Sequence, residues 1–203
     1  MARRAICISH ATGAGGDEVG RAVADRLGLR YVDDEIIAEA AEWADLDPEL
    51  VADAERRKPL VARMLELLGE QSPAAHMATA STGRTLPTGA DLRGLIVDVL
   101  RSSAEKGDVV IVAHAASFAL AGRDVLRVLV TASPEVRAGR IAETRGVSER
   151  DASRMVRDED SGRADYLRRF YDVDRELPTH FDVVVNTDVL GVDTAVDVVL
   201  AAV

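Results

Sequence analysis

Gly13, Gly15 and Gly16 punctuate the stretch Ala11-Thr-Gly-Ala-Gly-Gly-Asp-Glu18, between an apolar run and an amphipathic one. A glycine-rich turn from a strand into a helix gathers backbone N–H groups and the positive end of the helix dipole at one point, which is a seat for phosphate. The candidate phosphate-binding residues are therefore Thr12, Gly13, Ala14, Gly15, Gly16, Asp17 and Glu18. A loop of the GxxxxGK[ST] kind also needs a lysine for the terminal phosphates and a hydroxyl for magnesium. Counted from Gly15, those positions hold Gly16 and Asp17, and both lysines, Lys58 and Lys106, lie far along the chain. Asp17 and Glu18 have two readings: they stabilise the helix dipole, or they hold a magnesium ion that offsets their repulsion of phosphate.

Asp33 closes a short strand-like run, Leu29 to Val32, where a carboxylate points into the crevice above a sheet. There it could orient magnesium-bound water or accept a proton from an attacking oxygen. Capping the next helix is the other use of an acid here, and Asp34 has the stronger claim to it. Arg137 and Arg140 ride one helix three residues apart. Arg157, Asp160 and Arg163 repeat every third residue, with Tyr166 continuing the row. Two guanidinium forks with an aspartate between them to hold their rotamers suit bidentate phosphate contact. The same spacing also describes a solvated, salt-bridged helix face. His10 and His114 each follow a strand end and so face one crevice, though a hydrogen-bonded structural histidine is the common alternative. His76 and His180 lie in loop-like sequence, and Cys7, within an apolar strand, reads as a buried structural thiol in a reducing compartment.

The elements that must position these residues alternate. Ala5–Ile8, Leu29–Val32, Val109–Ala113, Val125–Thr131 and Asp182–Val185 read as strands, several of them continuous β-branched runs of the kind covered on both faces. Between them the periodicity predicts helices over Asp17–Leu27, Glu35–Ala44, Pro48–Leu68, Asp91–Lys106, Pro134–Arg145, Ser148–Tyr171 and Val192–Ala202, with Asp34, Asp91, Ser133 and Ser148 as caps. Residues 69–90 are small, polar and aperiodic, a loop within one domain. The class implied is α/β with a mostly parallel sheet and ligands at the carboxyl ends of its strands.

A chain of 203 residues, 47% hydrophobic and 30% charged, fits one globular domain. Its net charge of −10 argues against a nucleic-acid backbone or an anionic membrane as partner. No apolar run approaches the ~20 residues that span a bilayer, and the few apolar residues after Arg3-Arg4 are too short for a signal sequence, so a cytoplasmic location is expected. The sequence does not decide between a monomer and a homo-oligomer.

The pieces ISHATGAGGDEVGRAVADRLG, GLRYVDDEII, VLVTASPEVRAGRI, GVSERDASRMVRDEDSGRADYLRRFY and FDVVVNTDVLGVDTAVDVV together resemble the cytidylate-kinase-like family of P-loop nucleoside monophosphate kinases, in that family's order. The resemblance covers most of the chain outside residues 45–107. It implies a P-loop NTPase fold with a five-stranded parallel sheet flanked by helices, a phosphate loop at 12–18, a helical monophosphate-binding lobe at 34–107 and a lid at 146–175. Asp33 matches the family's acid after the second strand, Arg137 and Arg140 the arginines leading into the lid, and Asp160 and Arg163 the lid acid and its phosphate-contacting arginine; with Asp33, Asp160 and Arg163, Arg157 of the spacing row is counted among the catalytic candidates. Asn186 and Thr187, with Val189 and Leu190, match the loop beside the base of the nucleoside triphosphate. His10, Asp34 and His114 fall on the acceptor side. The implied reaction is magnesium-dependent transfer of the γ-phosphoryl group of ATP to CMP or dCMP.

Departures from the family pattern define the alternative. Relatives that lack the loop lysine read GSGGRE, with arginine where this chain has Asp17; they also resemble GRG where this chain has Ala113-His114-Ala115, and carry an arginine in place of His10. Removing fixed cations from a phosphoryl-transfer site weakens a chemistry that is mostly positioning and electrostatics. A catalytically degenerate nucleotide-binding or regulatory protein is thus the second reading, and a kinase for another small acceptor the third. As an exposed lid arginine, Arg163 is expected to matter to turnover far more than to stability.

Overall fold

The computed structural model describes residues 5–33, 89–113 and 115–203. Five strands, β1 (Ala5–His10), β2 (Arg30–Val32), β3 (Val109–Val112), β4 (Leu126–Thr131) and β5 (Val183–Asn186), form one sheet in the order β2-β3-β1-β4-β5. Every neighbouring pair is parallel. Six α-helices and a 3-10 turn at Pro178–His180 accompany them among the described residues: α1 (Gly16–Leu27), α2 (Gly89–Lys106), α3 (Ala116–Ala119), α4 (Pro134–Arg145), α5 (Glu149–Tyr171) and α6 (Thr187–Ala201).

Alternation along the strands sorts their side chains onto two faces. Ile6 and Ile8 of β1, Val110 and Val112 of β3, and Leu126, Val128 and Val130 of β4 face a core closed by Val19, Val23 and Ala24 of α1 and Ala195, Val196 and Val199 of α6. Ala5, Cys7, Val109 and Ile111 face the opposite core, with Val99 and Leu100 of α2 and Ala116 and Ala119 of α3. All of β1 and β3 is buried, which is why those runs carry no polar alternation. β5, at the sheet edge, buries Val185 and exposes Val184.

Chain order crosses the sheet at β1, which has β3 on one side and β4 on the other. Such a reversal opens a crevice at the carboxyl end of the central strand. α4 and α5 fold back on each other through Ala138, Ile141, Ala152 and Val156, just beyond that end. Ser133 and Ser148 cap them as expected, accepting from Val136 and Asp151 N–H groups at 3.5 and 3.1 Å.

Some boundaries differ from the sequence reading. α2 starts at Gly89, so Asp91 lies inside its first turn instead of capping it. The last helix begins at Thr187, five residues before the predicted start, because Asn186 caps it and Gly191, at φ 69°, breaks it where the apolar period resumes. Helix α3 has no counterpart in the sequence reading: the four residues Ala-Ser-Phe-Ala are too few to show a period. The predicted helices at 35–44 and 48–68, the loop at 69–90, the 34–107 lobe apart from α2, and Asp34, His76, His114 and Lys58 lie outside the described residues. Within the described residues no helix is long and apolar enough to cross a membrane.

Gly20 lets α1 lie close on the sheet. A Cβ there would sit 2.3 Å from Val112 Cγ2 and 3.2 Å from Tyr31 Cε2. Gly20→Ala should therefore destabilise the fold by roughly 1–3 kcal/mol through overpacking, against a helix-propensity gain of about 1 kcal/mol for alanine. Urea denaturation measures the balance, and a variant as stable as wild type would show that Val112 gives way.

Candidate active site

The loop at the carboxyl end of β1 is shaped by its own backbone. Ala11 N–H donates to Val130 C=O (3.1 Å), and Ala14 N–H closes a turn on Ala11 C=O (2.9 Å). Gly13 and Gly15 take left-handed conformations, φ 81° and 83°, that glycine adopts without strain. Gly15 precedes α1, and no side chain caps that helix. The first-turn amides of α1 thus carry no capping side chain, a fit to a phosphate ligand.

A turn that aims its N–H groups outward aims its carbonyls inward, and each of these finds a donor. Arg163 Nη1 donates to His10 C=O. Arg137 Nη1 reaches Thr12 C=O at 3.4 Å, and Arg140 Nη1 reaches Gly13 C=O at 3.4 Å. Thr187 Oγ1 donates to Ala14 C=O at 2.8 Å, and Val19 N–H to Gly15 C=O at 3.0 Å. The loop is held from behind by side chains of α4, α5 and α6.

Those arginines are also bound elsewhere. Arg137, buried, gives Nη1 and Nη2 to both oxygens of Asp160 (2.9 and 2.6 Å) and Nε to Ala132 C=O (3.1 Å). Arg140 donates to Thr187 Oγ1 (2.9 Å) and Thr187 C=O (2.7 Å). Arg163 gives Nε and Nη2 to both oxygens of Glu176, each at 2.7 Å. The expectation of an aspartate gripped between Arg157 and Arg163 is corrected here. Each three-residue step falls about 60° short of a full turn on a 3.6-residue helix, so the row winds around α5. Asp160 faces Arg137 of α4, Arg163 points inward, and Arg157 is exposed without an ion pair to another described residue. Arg163 is only 8% exposed, so the premise of an exposed lid arginine with little part in folding is also corrected.

His10 and Gly16 form one unit. A Cβ on Gly16 would lie 2.3 Å from His10 Cβ and Cγ, so the imidazole itself demands glycine there. His10 Nδ1 lies 3.4 Å from Ala11 C=O, and Nε2 lies 3.5 Å from Asp17 Oδ1. Burial pulls the His10 pKa below its usual value, with Asp17 opposing and Arg163 adding to the pull. Glu18 is exposed beside this unit. Among the described residues no group of three or more His, Cys, Asp or Glu side chains is arranged to hold a metal ion. Asp17 and Glu18 both lie in the first turn of α1.

Asp33 is half-buried at the end of β2, where Tyr31 Oη donates to its Oδ2 at 3.3 Å. Burial first, then the Asp33 charge, raises the Tyr31 pKa, keeping that phenol a donor. Arg21 lies over the Tyr31 ring, 4.3 Å from its centroid. Asn186 Oδ1 accepts from Asp188 N–H (2.9 Å) as the cap of α6, and Asp188 Oδ1 accepts from Ser133 N–H (2.7 Å) at the start of α4. Val189 and Leu190 come next, exposed. Cys7 is buried, its thiol pushed up to about 12 by desolvation; its neighbour Ser117 shares a 2.9 Å hydrogen bond with Ser9.

Glu176 carries no signal in the sequence, and Tyr31 only a weak one. Glu176 lies beyond the end of α5, where no period relates it to Arg163. Tyr31 is recoverable only as the residue two before Asp33 on one strand face.

Residues 5–189 match the family model described as the cytidylate kinase-like family. The chain belongs to that family. No curated protein matches it. Among solved structures it is similar to an uncharacterized protein from Eubacterium ventriosum, with a TM-score of 0.69 and 20% identity over 99% of this chain and 98% of that one. A shikimate kinase from Bacteroides thetaiotaomicron is similar with a TM-score of 0.56 and 17% identity, covering 99% and 98% of the two chains. A gluconokinase from Sinorhizobium meliloti gives 0.52 and 14%, covering 100% and 95%. The fold is thus that of the P-loop kinases, and the family is one of kinase-type phosphotransferases.

The lowered His10 pKa has a sign. The unfolded chain, with an ordinary value of 6.5, takes up protons that folded His10 refuses, so His10 costs stability as pH falls through 6.5. Between pH 7.5 and 5.5, wild-type stability in urea should fall more steeply than that of His10→Gln, with the titration of other groups cancelling in the difference. Parallel curves would show that folding does not discriminate against protonated His10.

Proposed function

We propose that this cytidylate kinase-like protein transfers the γ-phosphoryl group of ATP to a nucleoside monophosphate, CMP or dCMP foremost. The observation that carries the reading is the α1 N-terminus, without a side-chain cap and presented by Gly13 and Gly15 at the end of the central strand. In this reading the amides of residues 13–18 hold the ATP phosphates, and Asn186, Thr187, Val189 and Leu190 border the base. Arg137 and Arg140 act on the loop, giving it shape through Thr12 and Gly13, while Arg163 and Asp160 belong to the lid over 146–175. Asp33, held by the Tyr31 hydroxyl, would orient the water shell of a magnesium ion beside the transferred group, since the attacking phosphate oxygen carries no proton to remove at neutral pH. His10, Asp34 and His114 are assigned to the acceptor, which the 34–107 lobe selects. Magnesium, brought with the triphosphate beside Asp17 and Glu18, supplies charge neutralisation that the loop lacks without a lysine.

One observation favours a second reading, a nucleotide-binding protein without turnover. The loop has no lysine, and Arg137, Arg140 and Arg163 all commit guanidinium donors to carbonyls, a hydroxyl or carboxylates of the protein itself. Such a protein would keep the seat and lose the electrostatics of the transition state.

Turnover separates the two. With ATP and magnesium the kinase reading expects ADP release that depends on CMP or dCMP and stops on chelation of the metal. Asp33→Asn should lower kcat by about a hundredfold or more, the scale of losing one preorganised electrostatic contact in the transition state, with the melting temperature nearly unchanged. Binding of ATP by calorimetry with no ADP formed from any common nucleoside monophosphate would decide for the second reading.

A further inference from the structure

The three arginines behind the loop differ in what they would have to give up to meet a ligand. Arg137 is tied to main-chain carbonyls at Ala132 and Thr12 and to Asp160 within α5. Arg140 is tied to Gly13 C=O and to Thr187 at the start of α6. Both have partners that sit within helices, Asp160 in α5 and Thr187 in α6. Arg163 is different. Its Nε and Nη2 edge is filled by Glu176, which lies in residues 172–177, a segment with no helix or strand. That segment leaves α5 through Asp172 in a left-handed conformation, φ 54°.

Carboxylate and phosphate offer a guanidinium edge the same pair of acceptor oxygens. Meanwhile Arg163 Nη1 holds His10 C=O, at the entrance to the loop. We propose that Glu176 is an internal stand-in for a ligand phosphate, closing the Arg163 fork in the free protein and yielding it to a phosphate group bound at the loop. This rests on the phosphate-binding reading above and names the residue that sets its affinity. The exchange needs no motion of α5, because Arg163 keeps its bond to His10 while its other edge changes partner. Asp174, Arg175 and Leu177 around Glu176 are exposed, so the displaced carboxylate has water to enter.

Glu176 then acts as a conformational tax: apparent affinity is the intrinsic affinity scaled by the fraction of molecules with the fork open. Removing its charge removes the tax. With the fork open in about a tenth of molecules, Glu176→Gln should bind inorganic pyrophosphate and magnesium-ATP about tenfold more tightly than wild type by calorimetry. The gain should vanish in an Arg163→Gln, Glu176→Gln double variant. A melting curve without ligand should show Glu176→Gln less stable than wild type, and pyrophosphate should raise its melting temperature more than it raises that of wild type.

Equal or weaker pyrophosphate binding by Glu176→Gln, including no binding by either protein, overturns the proposal and leaves a structural ion pair. Tighter pyrophosphate binding without binding of ATP or any nucleoside monophosphate keeps the role of Glu176 and removes the nucleotide reading. Should Glu176→Gln not fold alone, Glu176→Ala is refolded from urea with and without pyrophosphate. Recovery only with the anion supports the proposal, and failure to recover counts against it.

Discussion

Unpaired backbone carbonyls cannot be buried without large cost, and that constraint governs this structure. To present N–H groups at the end of β1, the chain from His10 to Gly15 must turn its carbonyls into the protein. Arg163, Arg137, Arg140 and Thr187 supply donors to four of them, each from a different place in the chain. Those donors come from α4, α5 and the start of α6. α4 and α5 pack on each other through a small apolar seam, and α6 brings Thr187, whose hydroxyl accepts from Arg140 and donates to Ala14 C=O.

The same arrangement explains the charge of the site. Guanidinium groups buried behind the loop need counter-charges there, and Asp160 and Glu176 provide them in two-point pairs. Buried ion pairs contribute little net stability once desolvation is counted, but removing one partner is costly. Their effect is therefore to orient the loop more than to stabilise the fold. Arg137 and Arg140 lie on the carbonyl side of the loop, whereas a lysine in the loop would lie on the phosphate side, so they cannot stand in for it without a change of partners. His10 adds to this neutrality: buried against Gly16 and kept short of protons by desolvation, it takes up space at the loop without a standing charge.

Much of the fold was legible in the sequence because its signals are local. The buried runs of β1, β3 and β4 show as unbroken apolar stretches, Ser133 and Ser148 mark helix starts within a residue, and Gly13 and Gly15 mark a turn. Where the reading slipped, the local signal was weak or overridden. α3 is too short for a period, and the first turn of α6 is set by the Asn186 cap and the burial of Thr187, with Gly191 hiding its continuity with the rest of the helix. The arginine row failed for a geometric reason, since a three-residue repeat drifts around a helix and cannot keep Arg157 and Arg163 on one side.

By itself, then, the sequence determined the α/β alternation and the glycine turn that leads from β1 into α1, because strand burial, helix period and glycine conformation are properties of neighbouring residues. Only the tertiary structure decided what the arginines behind the loop do. Arg137 meets Asp160 across two helices, Arg163 meets Glu176 beyond the end of its own, and Arg140 meets Thr187 47 positions later. Which acceptor a guanidinium finds depends on the crossing of helices over a sheet edge. No spacing along one chain carries that distance.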